Sequence, residues 1–241
     1  MHSTGYFILI LAVLFFSAMI RSALGFGDAL IAMPLLALFV NIRLATPLVA
    51  FMASTIAVTI LFTEWRTVNF KAVWKLIVST VAGIPLGLIF LKHVPESLVK
   101  GILGVMLVGF GLYCLILPRL PVLRDDRSAY AVGFVAGILG GAYNTNGPPV
   151  VIYGALRRWP PEQFRSTLQC YFLPTGLVVL LGHGASGFWT SQVLCLYACA
   201  FPLILLAIFL GGKLNRRIPR DRFNRLVYGF LVVVGLLLFV R

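Results

Sequence analysis

Acidic side chains are scarce in this sequence. Its 241 residues include seven Asp and Glu, three His and four Cys, and charged residues of all kinds make up 11%. Soluble domains usually carry about a quarter charged residues, so the chain is short of the groups that hold a fold in water. Catalysis needs a nucleophile with a base, or a metal cluster, and the supply for either is thin. Of the carboxylates only Asp28 lies deep in an apolar stretch, while His2, His93 and His183 fall near stretch ends, as polar interfacial residues do. Cys114, Cys170, Cys195 and Cys199 sit inside apolar blocks with no Cys-x-x-Cys pair and no neighbouring His. That is the pattern of small buried hydrophobes, not of metal ligands. An enzyme, a metal site and a cofactor are therefore not expected. The first apolar block, from Tyr6 to about Leu24, lacks a basic segment ahead of it and runs almost at once into a second, so a cleaved secretory signal is not expected either.

What is abundant is apolar surface: 60% of residues are hydrophobic and the mean hydropathy is +0.99. Crossing a bilayer takes about 20 apolar residues, and blocks of that length alternate here with short polar breaks. They predict an all-α polytopic membrane protein of about eight transmembrane helices, near 6–40, 44–63, 70–91, 97–117, 129–157, 163–183, 189–212 and 222–240. The longest polar break, 118–128, divides the chain into a first four-span repeat, 1–117, and a second, 129–241.

The formal charge of +13 would suggest nucleic acid in a soluble protein, but the 20 Lys and Arg sit almost wholly in the connections. Such placement signals orientation and contact with lipid headgroups. The densest cluster is Arg216, Arg217, Arg220, Arg222 and Arg225, and membrane lipid, not nucleic acid, is its expected partner. Counting alternate connections puts twelve basic residues, including Arg43, Lys92, Arg157 and Arg158, on one side and seven on the other. The larger group is expected in the cytoplasm, with both termini outside. Trp65, Trp159 and Trp189 near span ends suit interfacial anchors.

The halves resemble each other weakly. Gly25-Phe26-Gly27-Asp28 followed by Met33-Pro34 parallels Gly140-Gly141-Ala142-Tyr143-Asn144 followed by Pro148-Pro149, and Gly83-Ile84-Pro85-Leu86 parallels Ala200-Phe201-Pro202-Leu203. With four spans in each half, the repeat is expected to be parallel. The first and fifth spans are too long for one ordinary crossing: 6–40 as a single helix would measure about 52 Å against a hydrocarbon core of about 30 Å. Each holds a cluster of helix breakers and is expected to be discontinuous, broken at mid-membrane into two half-helices. Gly releases the helix, Asp or Asn caps the restart, and Pro fits its first turn. A restart exposes unpaired N–H groups and the positive end of a helix dipole, which survives at membrane depth only beside a protein-lined or water-filled cavity. Paired breaks in two halves point to a transporter's substrate site.

Arg21 and Asp28, seven residues apart, would share a face of a continuous helix. They are read either as a structural ion pair or as functional groups, with Arg21 offering positive potential to an anion and Asp28 capping a half-helix or carrying a coupling proton. Gly25, Gly27 and Gly147 shape the breaks. Asn144, Thr145 and Asn146 can donate to oxyanions. Ser54 and Thr55 in the second span, and Ser166, Thr167 and Gln169 in the sixth, are candidates for the same cavity or for interhelical hydrogen bonds.

The stretch Gly25 to Leu36, with Gly140 to Pro149 and the following Val150-Val151-Ile152-Tyr153, resembles the paired signature of the TauE/SafE sulfite exporter family, and the similarity runs over nearly the whole chain. Phe26 and Asp28 stand where many members have a further glycine. The resemblance implies secondary transport of a small sulfur-containing anion, such as sulfite, a sulfonate or sulfoacetate, across the inner membrane of a prokaryote. Alternating access with proton coupling through Asp28 is the expected mechanism. A passive anion channel, whose ring of charges a homodimer could complete, and a structural or assembly subunit are the competing readings.

Overall fold

The computed structural model describes residues 2–64, 68–116, 123, 125–159, 161–215, 232, 233 and 236. The expected span 222–240, the cluster Arg216 to Arg225, Trp65, Arg66 and most of the 118–128 connection lie outside the described residues. Among those described there is no strand. The helices are α1 (His2–Leu24), α2 (Asp28–Ala37), α3 (Ile42–Glu64), α4 (Phe70–His93), α5 (Glu96–Ile116), α6 (Ser128–Tyr143), α7 (Gly147–Leu156), α8 (Pro161–Ala185) and α9 (Ser191–Asn215). Five described stretches are long and apolar enough to cross a membrane: Gly5–Leu24, Ile42–Thr63, Phe70–His93, Phe164–Ala185 and Ser191–Leu214. Large apolar side chains such as Phe62, Ile89, Leu181 and Phe209 stand exposed on the outside of the bundle, as suits a hydrocarbon solvent.

Both expected helix breaks are present, but they reverse the chain instead of letting it continue. The end of the bundle where α1 begins is taken as the upper one. There the Tyr6 ring stacks on Phe39, just beyond α2, with centroids 6.5 Å apart. Arg43 Nη2 donates to the Lys92 carbonyl at 2.8 Å, bringing the start of α3 and the last turn of α4 to the same end. At the lower end the Leu123 amide donates to the Leu156 carbonyl at 2.9 Å, and Arg157 forms an ion pair with Asp126. The end of α7 has therefore returned to the start of α6. So α1–α2 is a hairpin opening upward and α6–α7 a hairpin opening downward. The expectation that each was a single crossing made of two half-helices is corrected on these contacts. Hairpins that open at opposite ends of the bundle do not support the expected parallel repeat.

Local chemistry explains the two reversals differently. In the first, Gly25 and Gly27 hold φ of 89° and 101°, a left-handed backbone that costs a side-chain-bearing residue about 1–2 kcal/mol. In the second, Asn144 takes that conformation at φ 55°, its amide bonded to the Gly140 carbonyl at 2.8 Å, and Pro148 and Pro149 open the next helix. The glycines of α6 serve packing instead. Gly133, Gly137 and Gly141 lie four residues apart on one face, against Gly83 and Gly87 of α4. A Cβ on Gly137 would overlap the Thr80 carbonyl oxygen, and one on Gly87 the Ile138 carbonyl oxygen. Such small-xxx-small faces let membrane helices meet backbone to backbone. Thr80 adds a hydrogen bond from its hydroxyl to the Gly133 carbonyl at 2.9 Å. The same device recurs where α9 meets α1, with Gly211 against the Met19 carbonyl and Ser22.

Some expected placements change. His183 is fully buried, not interfacial. Cys195 and Cys199 are exposed on α9, and Cys170 is half-buried. Trp159 is half-buried between Tyr153 and Phe164, and Trp189 stacks near Phe51.

Two outcomes follow from this fold. Single cysteines placed at Arg43 and at Arg158 in a cysteine-free background are expected to be labelled by a membrane-impermeant maleimide from opposite sides of the membrane; labelling from one side would restore uninterrupted first and fifth crossings. Gly137→Leu is expected to lower the unfolding temperature of the purified protein sharply, because overpacking against backbone costs about 1–3 kcal/mol or more. Gly101→Leu, with nothing within 4 Å of the added carbon, should change it little.

Candidate functional site

The tips of the two hairpins meet inside the bundle around a small cavity of about 20 Å³. Its lining comes from the first tip (Arg21, Gly27, Asp28, Ala29, Leu30), the second tip (Asn144, Thr145, Asn146, Gly147, Pro148) and the walls Ala53, Phe172 and Gly176. The helix α2 runs upward from the cavity and α7 downward, so both present their N-terminal ends to it. Nine of the ten α2 residues are buried, which gives its irregular start the protein surroundings that a break at membrane depth requires.

Neither restart is capped as the sequence suggested. The N-cap of α2 is Gly27, and Asp28 is the first helical residue; α7 starts after Asn146; neither end has a side-chain cap hydrogen bond. The side chains that would cap are engaged elsewhere. Asp28 Oδ2 accepts from Arg21 Nη1 at 2.7 Å, and Asn146 Nδ2 donates to Thr175 Oγ1 at 3.3 Å. First-turn amides of α2, at Asp28, Ala29 and Leu30, are thus left for another acceptor. In α7 Pro148 and Pro149 have no N–H to offer, which leaves Gly147 as the donor at that end.

Arg21 and Asp28 are 3% and 5% exposed. They pair across the turn, not along one continuous helix. Arg21 Nη2 also donates to Gln169 Oε1 at 3.0 Å, and Gln169 Nε2 donates to the Gly25 carbonyl at 2.7 Å. The guanidinium carbon lies 4.7 Å from the centre of the Phe172 ring, a cation–π distance. Its Nε has no acceptor within the described residues. Gly25 itself does not line the cavity: a Cβ there would meet the Arg165 side chain at 3.0 Å.

Of the other candidates, Gln169 acts behind the cavity as the link between Arg21 and the turn. Ser54 is buried with its hydroxyl unpartnered, 3.7 Å from where a Gly176 Cβ would stand, directly behind the wall. Thr55 is turned to Tyr197, with the hydroxyls 2.6 Å apart, and Thr167 accepts from the Asn69 amide at 3.3 Å, so neither is at the cavity. Ser166 is buried outside the lining. Thr145 lines the cavity while its hydroxyl points to Met106 Sδ at 3.8 Å. Asn144 lines it with a side chain that makes no hydrogen bond among the described residues.

Sequence reasoning missed two features. The first is α8 as a post for both tips: Gln169 holds the first, while Thr175 and His183 hold the second, His183 Nε2 standing 3.4 Å from the Gly141 carbonyl. That carbonyl belongs to the last turn of α6, where a helix leaves acceptors unpaired. The second is the glycine face of α6, legible as three Gly at intervals of four.

The paired charges predict their own stability test. Removing one member of a buried pair costs about 3–5 kcal/mol, whereas replacing both with apolar groups of similar size is often neutral. Arg21→Met is expected to destabilise the purified protein strongly in thermal unfolding, and Arg21→Met combined with Asp28→Leu to recover most of the loss.

This geometry belongs with what the chain is similar to. The family model described as sulfite exporter TauE/SafE matches residues 9–238. A protein of Cupriavidus necator described as "Probable sulfite/organosulfonate exporter TauE" is 25% identical over 173 residues, which is 71% of this chain and 67% of that protein. No solved structure matches. With nearly its whole length matched, including both hairpin tips, the chain belongs to the TauE/SafE sulfite exporter family of membrane transporters.

Proposed function

We propose that this protein is a secondary transporter of a small sulfur-containing oxyanion, of the sulfite or organosulfonate type named for its relative, working by alternating access at the cavity between the hairpin tips. The observation that carries the reading is the convergence of two uncapped helix N-termini and the Arg21 guanidinium on one small cavity. Helix N-termini favour anions through free amides and the dipole, and transporters of unrelated folds use broken helices in this way.

The architecture that best accommodates this function is two re-entrant hairpins among six crossings: α3, α4, α5, α8, α9 and one in the apolar stretch 222–240. Exchanging α1–α2, α3 and α4 for α6–α7, α8 and α9 maps the α4–α6 packing onto α1–α9, the α4–α8 packing onto α3–α9, and α3–α8 onto itself. This is what an inverted repeat requires. Counted on that topology, fifteen Lys and Arg fall at the lower end and four at the upper, with Arg21 in the interior. The asymmetry exceeds the twelve to seven obtained with uninterrupted crossings, which supports a cytoplasmic lower face and termini outside.

A cavity of about 20 Å³ has room for one water-sized guest, so a sulfonate enters only when the tips separate. Parting the tips toward one face and then the other is alternating access, with α8 and α3 as the fixed elements between them. Among the described residues Asp28 is the one carboxylate at the cavity; its protonation would release Arg21 toward the anion, which is the simplest route to proton coupling.

Anion flux into proteoliposomes tests this reading. Sulfite or methanesulfonate uptake by the wild type is expected to saturate, and Asn144→Ala to lower it at least tenfold. Unsaturable conductance would favour a channel, and flux unchanged in both Asn144→Ala and Arg21→Ala would remove the site.

A further inference from the structure

We infer that the central site is matched to an anion carrying a single negative charge, and that Asp28 is the residue that sets this valence. The inference rests on the transporter reading above and adds which anions the site distinguishes.

Among the described residues Arg21 and Asp28 are the only formally charged side chains that line the cavity, and at 2.7 Å they cancel as a pair. What remains is the field of the two short helices, each about half an elementary charge at its N-terminus. The negative ends of α1 and α6, which finish at the same two tips, stay outside the lining. At the first tip the Gly25 carbonyl is taken by Gln169. At the second, the Leu139, Gly140 and Gly141 carbonyls face the Thr145 amide, the Asn144 amide and His183 respectively. None of residues 22–24 or 139–143 contributes to the lining. The helix ends that line the cavity are therefore the positive ones, of α2 and α7.

The donors are consistent with a single oxyanion head. They are the amides at the start of α2, the Gly147 amide, the Asn144 side chain, and Arg21, whose Nε is buried with no acceptor within the described residues. Arg165, the other cation near the first tip, packs its methylenes on Gly25 and stays outside the lining. A second negative charge on the guest would lie near the Asp28 carboxylate with nothing left to balance it. Arg21, already paired with Asp28, offers that second charge nothing further. An aspartate beside an anion site thus serves as a counterweight: it reduces what Arg21 contributes until the site suits monoanions.

Methanesulfonate and sulfate test this directly. They are close in size and both tetrahedral at sulfur, they carry one and two charges, and neither titrates near neutrality. Binding to the full-length protein in detergent is measured by calorimetry at fixed ionic strength. Wild type is expected to bind methanesulfonate at least tenfold more tightly than sulfate. In Asp28→Asn the ratio should move toward sulfate by at least tenfold. The double variant Arg21→Gln/Asp28→Asn, which removes one charge of each sign, should return the ratio toward that of wild type. Equal binding or a preference for sulfate in wild type overturns the inference while leaving the transporter reading standing, and so does an unchanged ratio in Asp28→Asn. Binding of neither anion, nor of sulfite, removes the anion site itself and this inference with it. Should Asp28→Asn fail to fold, the wild-type comparison alone still decides the preference, and the double variant the role of Asp28.

Discussion

A backbone that turns back on itself inside a hydrocarbon layer must find all its partners within the protein. No water is there to bond the freed amides and carbonyls, and each left alone costs several kcal/mol. Most of the architecture answers this constraint. The two reversals are enclosed by long helices, α2 is buried on nearly every side, and α8 passes both tips with a side chain for each: Gln169 on the Gly25 carbonyl and His183 facing that of Gly141. At the two reversals the helix starts, those of α2 and α7, have no side-chain cap and open on the cavity. In a fold where unpaired groups are so costly, their position marks where a ligand completes the structure.

The enclosure depends on helices that approach more closely than ordinary side chains permit. Along α4 and α6 the contact is backbone on glycine, reinforced by Thr80, whose hydroxyl bonds the Gly133 carbonyl and shares a hydrogen bond with Tyr171 of α8 at 2.9 Å. Three elements are tied at one point. The hairpin α6–α7 is thereby fixed along its first arm, while its tip is held by the longer Asn146 to Thr175 hydrogen bond. Firm stems with lightly held tips suit a site that must open.

The Arg21 to Asp28 pair has two roles that differ in their energetics. As a structural tie it is weak, since desolvating both ions offsets much of their attraction. As an electrostatic setting it is strong, because it places a cation at the cavity and a carboxylate that restrains it. Gln169 and the Phe172 ring fix the guanidinium from two further directions. The positive charge therefore has a defined position beside the helix N-termini, and is not free to extend into the cavity.

By itself the sequence determined the membrane-spanning class, the nine helical stretches among the described residues apart from a few boundary positions, both break points and the family. These rest on local properties: length of apolar runs, the conformational freedom of Gly25 and Gly27, and the prolines that begin α7. It also put Arg21, Asp28, Asn144, Asn146 and Gly147 on a single list. Only the tertiary structure decided that each break is a reversal, because a glycine turn has the same local chemistry whether the next helix goes on or goes back. The direction is set by distant partners: Tyr6 with Phe39 and Leu123 with Leu156. That one difference moves Arg43 and Lys92 to the opposite end of the bundle from Arg157. It also turns two helix N-termini that would have lain side by side into two that face each other across the cavity.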